Sequence, residues 1–199
     1  MDAEQGTRTE LLARLELMEV MVQEGRRSTE YWGWSFVLWG AAYLIAIGWG
    51  HWSSRPDISW PVTMIAATVI TVVIGSKKRK SPQTTVSRSI GGVWIAVGSA
   101  LFLYCFSVSI SGHAEPHAFL AAIETLLGVA NCASALALRW RPQFLVALVW
   151  WVSAVSTCFV SVAWVIPILV VATLIGNIGF GLYLMYREGR DRQNTVQHG

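Results

Sequence analysis

Six long apolar runs separated by short polar segments take up most of the chain. They fall at about 31–50, 60–76, 89–110, 118–138, 144–160 and 164–186. A helix needs about 20 mostly apolar residues to cross the hydrocarbon core of a bilayer. The pattern therefore predicts an all-α integral membrane bundle of six helices, with residues 1–30 as a short amphipathic helix and residues 187–199 as a polar tail. The last two runs meet at Ser161-Val162-Ala163 without a charge. One buried hairpin is the alternative there. Two spans fit better, because the apolar stretch from Phe144 to Tyr186 is about twice what one crossing needs. Trp164 and Pro167 mark the restart, since proline sits best in a first helical turn.

Composition agrees with lipid as the main solvent. Charged residues make up 14% of the chain, against about 25% for a soluble domain, and mean hydropathy is +0.48. A pI near 8.9 would suit nucleic acid. The Lys and Arg sit at span ends instead, where membrane orientation accounts for them, so nucleic acid is not an expected partner. Residues 1–30 are charged throughout and hold no apolar h-region, which leaves the first span as the targeting signal.

Orientation follows from the same charges. Fourteen of the fifteen Lys and Arg fall on one side, in the first segment, the loops after the second and fourth spans and the last segment. Arg55 is alone on the other. The basic side is expected to be the cytoplasm, with both termini on it, in a bacterial inner membrane. Lys77, Lys78, Arg79 and Lys80 lie at that surface. They set orientation and can also hold anionic lipid headgroups at about 1 kcal/mol per charge.

The N-terminal segment has helical periodicity. Leu11, Leu15, Met18 and Val22 are spaced 4-3-4, Leu12 widens the stripe, and Glu10 with Arg14 makes a favourable i,i+4 pair. Gly25 is expected to break the helix before Arg26-Arg27. Glu10, Glu16, Glu19 and Glu24 would be repelled by anionic lipid, whereas surface helices carry Lys and Arg. A second helix is the better match: a cytoplasmic loop of the same chain, a second copy, or another protein.

Small residues mark where helices approach in lipid. The odd spans share Gly40-Ala41-Ala42, Gly98-Ser99-Ala100 and Ser153-Ala154. Ala66, Gly128 and Gly176 each precede a basic residue by eleven positions. The pattern suggests three helical hairpins in parallel repeat; basic caps and common small residues would produce the same picture. Ala121, Thr125, Gly128, Cys132 and Ala135 form a small face in the fourth span, and Thr173, Asn177 and Gly181 another in the sixth. Both are expected to line the interior. Tryptophans cluster at span ends, as an anchoring belt does; an aromatic-lined ligand pocket is the other reading. Cys105, Cys132 and Cys158 have no ligand spacing and read as small apolar residues.

Chemistry is sparse. Glu124 lies about two turns into the fourth span, roughly 9 Å along the helix. An acid at mid-span costs on the order of 2.5–3.5 kcal/mol, so it should turn inward, with Asn131 seven residues on. Glu124, Asn131 and Asn177 are the candidate ligand or ion path. The alternatives for Glu124 are a neutral acid bonded to a neighbouring helix and a hydrated acid near the outer interface. On the outer side, His113, Glu115 and His117 are a candidate zinc or copper site. Pro116 argues against both histidines sharing a helix face, and a short polar loop is the plainer reading. No phosphate loop, nucleophile elbow, zinc-protease motif or second intramembrane acid is present, so neither an enzyme nor a cofactor is expected.

Residues 11–48 include Leu11-Leu-Ala-Arg-Leu-Glu-Leu-Met-Glu and, further on, Trp32-Gly-Trp-Ser-Phe-Val-Leu-Trp-Gly40. They resemble a group of small bacterial polytopic proteins in which an amphipathic N-terminal helix leads into a first span containing Leu-Trp-Gly. The resemblance implies the fold and carries no activity or site residue. The expectation is a regulatory or scaffolding subunit that binds a partner through Leu11, Leu15, Met18 and Val22. The alternative is a small transporter or ligand sensor at Glu124 and Asn131.

Overall fold

The computed structural model describes residues 2–52, 58–78, 85–111 and 115–197. Helix α1 spans Asp2–Tyr31, α2 Gly33–Trp52, α3 Ser59–Lys78, α4 Thr85–Ser111, α5 Pro116–Leu138, α6 Arg141–Phe159, α7 Val162–Thr173 and α8 Phe180–Gln197. A π-helical turn, Leu174–Gly179, joins α7 to α8 without a break. Six of these helical units, with α7 to α8 counted as one, are long and apolar enough to cross a membrane. The protein is a multi-pass helical membrane bundle. The expected spans are all present, with ends shifted by a few residues.

Two local expectations need correction. Gly25 does not end α1, which runs on to Tyr31. A Cβ at Gly25 would meet Leu138 Cδ2 at 2.9 Å and Val86 Cγ1 at 3.0 Å. Glycine is there to bring α1 against α5 and α4, and packing outweighs its low helix propensity. Pro167 lies inside α7 rather than in its first turn, because the helix starts at Val162. The polar segment after Tyr186 continues as helix to Gln197.

Consecutive spans pair α2 with α3, α4 with α5 and α6 with α7. The most extensive pairing is α5 with α6, which crosses the supposed hairpin boundary. The small patches also differ in their surroundings. Gly40 packs on Asn177 and Ile178, Gly98 has open space, and Ser153 makes a hydrogen bond. Repeat-like spacing in the sequence does not become equivalent packing.

Backbones approach closely where α2 crosses α8. A Cβ on Gly181 would meet the Gly33 carbonyl oxygen at 2.8 Å and the Val37 nitrogen at 2.9 Å. Aromatic rings fill the bundle near its basic end. Phe36 meets Trp94 and Phe180 edge-on at 5.5 and 5.2 Å, and the Arg187 guanidinium lies 5.9 Å from the Trp140 ring centroid. The α3 and α4 helices keep rows of exposed Val, Ile, Leu and Phe. Such rows are what a lipid-facing surface requires.

Candidate functional site

The buried face of α5 runs through Glu124, Leu127, Asn131, Ser134 and Leu138, at alternating three- and four-residue steps. Thr125, expected on the inner face, is exposed, because the face is rotated toward Glu124. Glu124 is 0% exposed. Ser153 Oγ of α6 donates to its Oε1 at 2.6 Å, and Thr157 Oγ1 donates to its Oε2 at 3.0 Å. Ser153 and Thr157 are one helical turn apart, so both hydroxyls reach the same carboxyl. Its surroundings are protein and not water, with α6 supplying both partners. Among the described residues no cation pairs with it. One acceptor per hydroxyl is how a lone intramembrane acid can be accommodated.

Gly128 sits one turn further along α5. A Cβ there would clash with the indole of Trp151, so α5 and α6 meet closely just beside the Glu124 cluster. Asn131 is buried and bonds its own helix, Nδ2 to the Leu127 carbonyl at 2.9 Å. Asn177 is buried in the π-turn against Gly40 of α2. Among the described residues no hydrogen bond links Glu124, Asn131 and Asn177. Among the described residues, Asn131 Oδ1, Ser134 Oγ, both amide atoms of Gln143, Trp150 Nε1 and Thr173 Oγ1 are buried without a hydrogen-bond partner. Trp150 Nε1 stands over Gly176, 2.8 Å from where a Cβ would be. The π-turn, closed by the Phe180 N–H to the Ile175 carbonyl, widens the helix at that level.

Glu115 is the N-cap of α5. Glu115 accepts from the Ala118 N–H at 2.6 Å and the His117 N–H at 3.3 Å, closing the start of α5. Those N–H groups and the neighbouring imidazole hold its carboxyl below the usual glutamate range, the Ala118 bond being the largest cause. His117 Nδ1 lies 2.8 Å from Glu115 Oε1, and Nε2 lies 3.0 Å from the Val160 carbonyl oxygen. Both ring nitrogens thus face protein acceptors and tie this loop to the turn between α6 and α7. Among the described residues no three His, Cys, Asp or Glu side chains converge as metal ligands; His113 lies outside the described residues.

At the basic end, α1 divides into two parts. From Glu10 to Val20 every side chain is exposed. Leu11, Leu15 and Met18 are 55%, 55% and 50% exposed, and Val22 is half-buried. From Gly25 onward the helix docks. Arg26 Nε and Nη2 donate to the Leu138 and Arg139 carbonyls, both at 2.7 Å, and satisfy the C-terminus of α5. Arg139 adopts φ 48 there as the left-handed cap. Glu30, buried, meets Arg187 Nε of α8 at 3.4 Å. Lys77 and Lys78 end α3, while Arg79 and Lys80 lie outside the described residues.

Sequence reading missed Ser153 and Thr157 as carboxyl partners and missed the Arg26–Glu30 clamp. The four-residue spacing of Ser153 and Thr157 was the available signal for the first. No local signal marks the second, since Arg26 and Leu138 are 112 positions apart. No family model, curated protein or solved structure matches this chain.

Proposed function

We propose that this is a non-enzymatic protein of the bacterial inner membrane, a regulatory or scaffolding subunit that binds a protein partner through the exposed face of α1. Both termini are cytoplasmic in this reading, by the fourteen-to-one distribution of Lys and Arg. One observation carries it. The Leu11–Leu15–Met18 stripe is bare, yet the same helix is fixed to α5 and α8 by Arg26 and Glu30. An apolar helix face held out from a bundle loses little further conformational entropy when a partner covers it. Its acidic flanks disfavour anionic lipid as the cover. Lys77 through Lys80 hold anionic headgroups at the same surface.

The test is photo-cross-linking in living cells. A benzoylphenylalanine at Leu15 is expected to give a protein adduct, and one at Ile95, on a lipid-facing row, is not. Absence of any adduct from Leu15, Met18 or Leu11 would refute the reading.

A second reading rests on a different observation, the buried, unpartnered polar atoms of α5, α6 and α7, of which Trp150 Nε1 stands over Gly176 of the π-turn. It makes the protein a small transporter or ligand sensor whose path runs past Glu124, Asn131 and Asn177. Glu124→Gln would then abolish cellular function while an α1 stripe variant kept it. The first reading expects the reverse.

A further inference from the structure

We infer that the occupant of the α1 stripe is a second copy of this chain, joined through a parallel two-stranded coiled coil over Leu11–Val22. The inference rests on the reading of α1 as a partner-binding arm and names the partner.

The spacing supplies the seam. Leu11 and Met18 occupy d positions and Leu15 and Val22 occupy a positions of a heptad. The next d position is Gly25, which packs on Leu138 and Val86 of its own bundle. The seam therefore ends where the helix docks, and the free part carries the free positions. Flanking charges then select the partner. Arg14 falls at g and Glu19 at the following e, five residues on. In a parallel pair these face each other across the interface, twice by symmetry. In an antiparallel pair Arg14 would face Met21, and Leu12 would face Glu19. Among the described residues Arg14 pairs only with Glu10, in an exposed contact with side chains 70% and 64% accessible, so it is available to a partner.

Membrane geometry favours the same arrangement. Two copies inserted in one membrane share an orientation, and a two-fold axis along the membrane normal relates them. Arms that project from the bundle then run side by side in parallel. Two heptads form a short seam, but the clamp preforms the helix and the shared membrane raises the effective concentration.

The test uses the full chain in native membranes, with alanine at Cys105, Cys132 and Cys158 and one added cysteine. Oxidation should give a disulfide-linked dimer for Leu15→Cys and Met18→Cys. Ala13→Cys and Val20→Cys lie opposite the seam and should give roughly tenfold less, since a disulfide requires Cα atoms within about 7 Å. In a chain keeping its own cysteines, Arg14→Glu or Glu19→Arg should each weaken dimerisation roughly five- to tenfold by setting like charges opposite, and the double swap should restore it. Equal linkage at all four positions, no linkage at any, or no rescue by the double swap would overturn the inference. A Leu15 photo-adduct to a different protein, without disulfide dimers, would overturn it while leaving the partner-binding reading standing. No adduct of either kind would remove both.

Discussion

A carboxyl group held between two hydroxyls inside a helix bundle can be probed atom by atom. Glu124→Gln keeps an acceptor for Ser153 and presents an amide to Thr157, so it should change thermal stability in detergent only slightly. Glu124→Leu leaves both hydroxyls without their acceptor and should destabilise the fold by about 1–3 kcal/mol. A Leu variant as stable as the Gln variant would show that the cluster holds nothing in place. The outer cap offers a pH test. The Glu115 carboxyl is held below its ordinary value in the folded state. Its contribution is therefore present above its unfolded pKa, about 4.3, and is lost as pH falls through the lower folded value. The melting-temperature gap between wild type and Glu115→Ala should be full near neutral pH and close in acid; a constant gap would contradict the cap.

Helix interfaces in this protein depend on a few glycines and one cation. Gly33 and Gly181 let α2 and α8 cross at backbone contact, so Gly181→Val should cost about 1–3 kcal/mol by forcing the helices apart. Gly98→Ala, which meets open space, should cost nothing measurable by the same unfolding assay. Arg26→Ala removes the donors to the Leu138 and Arg139 carbonyls. Hydrogen exchange should then rise across 25–31 while the spans stay protected; unchanged exchange would mean that Gly25 packing alone docks α1. Elements were legible in the sequence because lipid imposes long apolar runs whose ends are marked by charge. Glu124 could be placed inside by the same logic, since a lone acid cannot face hydrocarbon. Its hydroxyl partners had only their four-residue spacing as a signal, and the α1 clamp and the π-turn had none. Each depends on which helices become neighbours, and span composition is nearly silent on that. Gly25 shows the point: local propensity says break, while packing against Leu138 says continue.

Taken whole, the molecule is an α-helical bundle with a lipid-facing exterior, buried polar side chains in α5, α6 and the π-turn, and a helical arm on its basic side. The arm is the feature that a monomer leaves unexplained, since Leu11, Leu15 and Met18 are half or more exposed and have no cover among the described residues. Assembly through α1 is thus the central claim, and the mass of the intact particle released from lipid tests it most directly. Native mass spectrometry should give twice 22.0 kDa for the wild type. It should give a single 22.0 kDa chain when Leu15→Glu and Met18→Glu are combined. A wild-type protein that leaves the bilayer as a single 22.0 kDa chain, with its spans still folded, would contradict the account.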